Sequence, residues 1–490
     1  GQDIVMDNLS LLTDFYELTM MQGYYFSGKK EEVVFDYFIR KNPFKNGYTI
    51  FAGLEPFLKQ LNKINFEGEE IGYLESTGLF KQDFLNFLED FSFEGDIYSM
   101  REGDIVFPNE PVVRVHGSLM EAQLIESLLL NFLNFQSLIA TKTGRILQSA
   151  GDKPVLEFGL RRAQGKDGAL SAARASFIGG IAATSNTLAG KLYNIPAKGT
   201  MAHSWIMSFE TELESFREYA RIYPENCILL VDTYDTLKSG VPNAIKVFKE
   251  LQKNDIHNFG IRLDSGDLEY LSKKSREMMD KEGCQEAKIY ASSELDEHVV
   301  EELVDKNSPI DAWGIGTKLV TANPDPALSG VYKLVAKNSS NDFQPVIKVS
   351  NNPVKMTNPG IKNVMRFYDS ENKMKADLIF DENEEEELQS RIEENDRIRF
   401  HHPSIEYAYF DMTNYKTTRK MLNQVMKNGK VLAVEKDLNK LQNYCQDQRE
   451  SFHSTHKRFL HPHIYKVSLS TRLNTMKKRL IEEYKRDETF

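Results

Sequence analysis

Six times between Val155 and Val320 a short apolar run gives way to polar residues. Val155–Phe158 leads into Gly159-Leu160-Arg161-Arg162, Ile195–Lys198 into Gly199-Thr200-Met201-Ala202-His203-Ser204, and Ile228–Val231 into Asp232-Thr233-Tyr234-Asp235-Thr236. Phe259–Leu263 then leads into Asp264-Ser265-Gly266-Asp267, Ile289–Ala291 into Ser292-Ser293-Glu294, and Ala312–Ile315 into Gly316-Thr317-Lys318. Short apolar runs bounded by turn residues predict strands buried on both faces. Helical patterns lie between most of them, so the expected fold is α/β, an irregular parallel barrel of TIM-like type. Such folds keep their chemistry outside the carboxyl ends of the strands. Any one of these polar ends alone reads as a helix cap or a turn. Six of them, diverse in type, favour a site.

The flanks read differently. Asp14-Phe15-Tyr16-Glu17 offers a cap and an acidic residue three positions on, opening a helix with Leu18, Met21 and Tyr25. Tyr16 falls in its first turn, where an aromatic packs inward or stacks on a flat ligand. Glu31–Arg40 predicts a strand, and Gly95–Gly117 two or three more, punctuated by Gly103-Asp104 and Pro108–Pro111. Leu119 to Ala150 is apolar on most sides and predicts a long buried helix with a break near Gly144. Val331–Ala336 and Pro345–Val349 predict antiparallel strands, the second followed by Asn351-Asn352-Pro353. The acidic stretch Asp381 to Asp396 predicts a solvated loop or exposed helix. Asn428-Gly429-Lys430 predicts a turn, and Leu473, Met476 and Leu480 a final amphipathic helix. The expected organisation is an N-terminal α+β sandwich domain over 1–140, completed by strands from about 330–380, a catalytic barrel over 141–330, and a C-terminal extension over 381–490.

With 490 residues, 41% of them apolar, the core is ample. The formal net charge of −11 argues against a general nucleic-acid or membrane-surface binder, though not against a small anion in a local basic pocket. Cys227, Cys284 and Cys445 lie far apart, so neither a disulfide framework nor a structural zinc site is expected. His401-His402 and His461-Pro462-His463 lack ligand spacing and read as surface or core histidines. Neither a signal peptide nor a bilayer-spanning run is visible, which makes a cytoplasmic enzyme the expectation.

The candidate chemistry follows from residue type. Arg161, Arg162 and Arg262 are shaped to hold a carboxylate or phosphate, or to pair with Asp232 or Asp264. Asp232, Asp264 and Asp267 can hold a divalent metal on a polyphosphate, grip sugar hydroxyls or stabilise a developing cation. Gly314-Ile315-Gly316-Thr317 offers exposed N–H groups and a hydroxyl where barrels place a phosphate. His203 follows Gly199-Thr200 on a strand-end loop and can act as general base or covalent phosphate carrier. Asp167–Leu192 is rich in Gly, Ala and Ser but holds neither a dinucleotide fingerprint nor a Walker-type loop, since Gly190-Lys191 is followed by Leu.

Taken together, Phe158-Gly159-Leu160-Arg161-Arg162-Ala163-Gln164, Gly199–Ser204, Leu230–Thr236 and Arg262-Leu263-Asp264-Ser265-Gly266-Asp267-Leu268 resemble the nicotinate phosphoribosyltransferase family, as does Thr13–Met20 at the first helix. The family's pattern has Asn-Asp or Gly-Asp where Ser293-Glu294 stands here. The resemblance implies formation of nicotinate mononucleotide and pyrophosphate from nicotinate and phosphoribosyl pyrophosphate, coupled to ATP hydrolysis and serving NAD salvage. It implies a phosphohistidine at His203 and catalytic roles for Asp232 and Asp264. It implies nicotinate contacts at Tyr16, Phe158, Arg161, Thr200 and Arg262. It further implies phosphoribosyl pyrophosphate contacts at Arg162, Ser265, Gly266, Asp267, Gly316 and Thr317. Magnesium near Asp232 or Asp264, and a homodimer in which the Tyr16 helix reaches a second subunit's site, are implied as well. Relatives that take nicotinamide carry an Asp in the small-residue segment. Gly179–Leu192 has no acidic residue, which favours the acid. Two rivals are a Schiff-base aldolase using Lys198 or Lys318, and a catalytically dead metabolite-binding subunit.

Overall fold

The protein is described by a computed structural model covering residues 8–352 and 356–488. Pro353 lies outside these described residues. The chain forms two compact units, one from Gly1–Leu138 with Ala327–Phe490, the other from Ile139–Pro326.

The second unit is built on a parallel sheet of β1 (Val155–Glu157), β2 (Ala183–Thr184), β3 (Cys227–Leu230), β4 (Phe259–Leu263), β5 (Lys288–Ala291) and β6 (Ala312–Ile315). Their order is β2-β1-β6-β5-β4-β3, every pair parallel. Helices such as Gly165–Gly179, Val241–Lys253 and Leu268–Lys281 connect successive strands, as parallel pairing requires. The strands are apolar and buried, with Trp313 at 1% exposure, and Phe248 stacks on Phe259 at 4.3 Å between ring centroids.

Among the described residues this sheet is open, with β2 and β3 at its edges, and does not close into the expected TIM-like barrel. Ile195–Lys198, expected as a full strand, makes a single bridge from Ala197 to Thr184. Pro196 has no N–H to extend a ladder, so only its carbonyl and the Lys198 N–H meet Thr184. That contact still lays the segment along the edge and aims Thr200–His203 at the carboxyl ends. The edge strand β2 comes from the small-residue segment that reads in sequence as packing material.

In the first unit a seven-stranded antiparallel sheet runs Phe343–Pro345, Gly330–Asn338, Glu32–Ile39, Val113–Ser118, Asp96–Ser99, Asn423–Lys427, Lys430–Val431. A second sheet of six strands contains Lys362–Tyr368, Met374–Asp381, Ile398–His401, Tyr409–Met412, Thr417–Lys420 and Lys466–Leu469. Met374–Asp381 pairs in parallel with Lys466–Leu469, so residues after 381 are woven into this unit and are not an appended extension. Phe367, Leu378 and Phe400 form the apolar face that draws them in. The acidic run forms the helix Glu385–Glu393 with only Leu388 buried. Within the second sheet Arg366 is fully buried, its fork on its strand neighbour Asp377 at 2.9 Å through Nε and Nη2, with Glu110 3.7 Å away. Burial and the adjacent Asp377 hold the Glu110 carboxyl well above the usual carboxylate range.

The long helical stretch breaks at Ile125, giving Leu119–Leu124 and Glu126–Ala150, and runs unbroken through Gly144. Ser118 and Glu121 form a capping box that starts the first piece. Gly144 sits between Lys142 and Arg145, which both reach the buried carboxylate of Glu297, at 2.5 and 2.7 Å. Bending the helix at Gly144 would separate these buried charges and leave Glu297 uncompensated, a cost larger than the roughly 1 kcal/mol of a helical glycine.

Candidate active site

A cavity of about 570 Å³ lies in the second unit, lined by Phe158, Arg161, Arg162, Thr200, His203, Arg262, Asp264, Gly316 and Thr317 among others. All come from the carboxyl ends of strands or the segments just beyond. Alternation along β4 sends Arg262 to the site while its neighbours Ile261 and Leu263 are buried. Its Nη1 donates to Thr200 Oγ1 at 2.7 Å and its Nη2 to the Met201 carbonyl at 2.8 Å. The buried Nε has no acceptor among the described residues. Burial pushes the guanidinium below its ordinary value, while Asp264 and Asp232 pull it back up. Arg161, a like charge acting on Arg262, sits exposed on a short 3-10 turn with Arg162. Neighbouring cations of this kind suit an anion.

His203 opens the short helix His203–Met207, anchored by buried Ile206 and by Trp205 Nε1 donating to the Ser215 carbonyl at 3.2 Å. Its Nδ1 lies 2.9 Å from Thr233 Oγ1, and its Nε2 faces Asp232 Oδ1 at 3.7 Å and Asp264 Oδ2 at 3.6 Å. Asp232 Oδ2 is held by the Asp264 N–H at 3.0 Å and by Ser265 Oγ at 2.6 Å. Asp264 Oδ1 accepts from Ser292 Oγ at 2.8 Å. Each carboxylate is thus fixed by one oxygen and presents the other to the imidazole, and Asp232 Oδ1 is buried without a donor among the described residues.

The remaining residues singled out in sequence fall in several places. Ser265 is committed to Asp232. Gly266, at φ +82°, turns the chain, and Asp267 caps the next helix at the Tyr270 N–H, 3.1 Å away. Gly266 and Asp267 line an adjoining cavity of about 420 Å³ that shares Ser293 and Glu294 with the first. Tyr16 belongs to the first unit, half exposed, its hydroxyl donating to Glu126 Oε2 at 3.2 Å. Lys318 pairs with Asp296 at 3.3 Å and Lys198 is exposed, so neither has the desolvated setting of a Schiff-base lysine. His401 Nε2 meets Thr471 Oγ1 at 2.8 Å, and His402 Nδ1 accepts from the Ile405 N–H at 2.8 Å.

Sequence reasoning passed over Thr233, Ser292 and Glu157. Glu157 is buried under the first turn, taking the Gly159 N–H at 2.5 Å and the Thr184 hydroxyl at 2.7 Å, and burial raises its carboxyl above the usual range. A lone charge inside the apolar run Val155–Phe158 was its signal.

An open parallel α/β sheet with an imidazole, two fixed carboxylates and arginines converging at its carboxyl edge defines an α/β protein built to handle a small anion. The chain belongs to the nicotinate phosphoribosyltransferase family. The family's sequence model matches residues 154–389, its N-terminal domain 11–134 and its C-terminal domain 361–477. A nicotinate phosphoribosyltransferase of Bacillus subtilis is 42% identical over 490 residues, covering 97% of this chain and 98% of that protein. One from Caenorhabditis elegans is 36% identical, covering 96% and 93%. The crystal structure of human nicotinic acid phosphoribosyltransferase superposes with a TM-score of 0.81 at 26% identity, covering 96% of this chain and 99% of that one.

Proposed function

We propose that this chain is an ATP-coupled nicotinate phosphoribosyltransferase that joins nicotinate to phosphoribosyl pyrophosphate, releasing pyrophosphate, in the salvage of nicotinate toward NAD. The observation that carries the reading is the grip of Arg262 on Thr200 and Met201, which sets a guanidinium in one cavity with His203 and Asp264, while buried Asp232 faces His203 Nε2 at 3.7 Å.

Arg262, helped by Arg161, takes the carboxylate of nicotinate against Phe158, so that the ring nitrogen faces C1 of the ribose. The N–C1 bond forms as the C1–O bond to pyrophosphate breaks, through a centre with oxocarbenium character that Asp232 and Asp264 stabilise. Gly316, Thr317 and Arg162 hold the phosphates. Among the described residues no group of three or more His, Cys, Asp or Glu side chains is arranged to hold a metal. The orphaned Asp232 Oδ1 and part-exposed Asp264 fit a magnesium ion that arrives on the polyphosphate, which takes few protein ligands. When bound, magnesium neutralises the leaving pyrophosphate.

In the ATP-coupled step, His203 Nε2 takes the γ-phosphoryl group. The P–N bond forms, the bond to the β-phosphate oxygen breaks, and ADP leaves. Water later cleaves the P–N bond. A second subunit contributing Tyr16, and a cytoplasmic setting, belong to the same reading.

The test is product formation from nicotinate, phosphoribosyl pyrophosphate and magnesium, with and without ATP, together with labelling by γ-labelled ATP. Nicotinate mononucleotide should form in both cases and faster with ATP. His203→Ala should lose the acid-labile label, and undiminished label in that variant overturns the phosphohistidine.

A further inference from the structure

The start of the helix Phe15–Phe26 meets the broken helix pair through matched contacts. Asp14 and Ser127 bond each other, Tyr16 Oη donates to Glu126 Oε2, and Gln123 Nε2 donates to Glu17 Oε2 at 2.8 Å and reaches Glu126 Oε2 at 3.4 Å. One amide therefore bridges two carboxylates. Glu17 is fully buried, and its Oε1 has no donor among the described residues. Two charges side by side with a single amide between them are costly, and a proton held between them removes the repulsion.

We propose that Glu17 is a positioning residue: the proton it shares with Glu126 holds the Tyr16 ring in the orientation that stacks on a flat aromatic acid. This rests on the reading of Tyr16 as a nicotinate contact. Burial first, and then Glu126, push the Glu17 carboxyl up to about 8. The other ionisable groups facing the pair are Tyr16 and Tyr24 of its own helix, Asp14 just ahead of it, and Tyr332 and Lys333 of the strand Gly330–Asn338. Burial and carboxylate neighbours keep Tyr16, Tyr24 and Tyr332 neutral. Lys333 acts on Glu126 and cannot neutralise both carboxylates. Once the proton leaves, Glu126 is driven from Glu17 and carries the Tyr16 hydroxyl with it.

The experiment measures kcat and KM for nicotinate against pH in the full chain and in Glu17→Gln, with infrared spectra of the same samples. Wild type should show KM rising roughly fivefold above pH 8, the worth of about one oriented hydrogen bond, with kcat following a separate profile. Its neutral-carboxyl stretch should fade with a midpoint near 8. Glu17→Gln, which keeps the neutral geometry, should lose both the rise and the component of the band that titrates near 8, leaving the stretch that Glu110 contributes. A Glu17→Gln profile that keeps the wild-type rise overturns the proposal, as does a wild type with neither rise nor band. If the chain turns over no nicotinate, the functional reading fails, and the band alone then decides the shared proton. Should Glu17→Gln not fold, Glu126→Gln should move the band's midpoint down toward the usual carboxylate range, and an unmoved midpoint counts against the pair.

Discussion

Arg262 does two jobs with one fork. Two of its nitrogens brace the loop that carries His203, and in the proposed function its charge takes the carboxylate of nicotinate. Arg262→Ala should raise KM for nicotinate roughly ten- to a hundredfold, the span of a lost charge-assisted bond, and shift KM for nicotinamide far less. Steady-state kinetics with the two substrates measures this, and equal shifts argue against carboxylate recognition at Arg262. Asp232, Asp264 and Arg262 were legible in the sequence because each stands at or next to the end of an apolar run, and His203 because it follows Gly199-Thr200 in the loop beyond one. Thr233 and Ser292 were not. A hydroxyl beside a strand end resembles any turn residue until the fold brings His203 to Thr233 and Asp264 to Ser292.

The strands place these groups through close packing at their ends. A Cβ on Gly314 of β6 would stand 2.5 Å from the Phe158 ring, which lines the cavity. Gly314→Ala should destabilise the chain by about 1–3 kcal/mol, as overpacking does, and displace Phe158. Thermal melting reads the first effect and KM for nicotinate the second. A variant with unchanged melting would show that the ring can give way. The strand-helix alternation was legible from the apolar runs. The short edge β2 was not, because two residues carry no period, and Pro196 cut the neighbouring segment to one bridge. The helix break was misread for a related reason: glycine signals flexibility, yet buried ion pairs on either side of Gly144 fix it, while Ile125 carries no such signal.

Across the first unit, buried charge couples stability to pH. The folded chain keeps a proton on Glu110 that the unfolded chain releases near the ordinary carboxylate value, about 4.3. The stabilising contribution is therefore complete below that value and is lost as pH rises toward the elevated folded value. Urea midpoints between pH 5 and 8 should fall in wild type and fall less in Glu110→Gln, and parallel slopes would assign the dependence elsewhere. The two sheets of this unit were only partly legible. Asp96–Ser99 and Glu32–Ile39 read as strands, and strands from about 330–380 were expected to complete their domain, as Gly330–Asn338 does by pairing with Glu32–Ile39, but no local pattern reveals that Asp96–Ser99 pairs with Asn423–Lys427.

That long-range pairing sets an order on biosynthesis. As the nascent polypeptide leaves the ribosome, Ile139–Pro326 is contiguous and complete well before Asp96–Ser99 meets Asn423–Lys427. Glu32–Ile39 and Asp96–Ser99 thus wait with a bare edge until their distant partners are translated, so a polypeptide stopped between them exposes sticky strands that call for a chaperone.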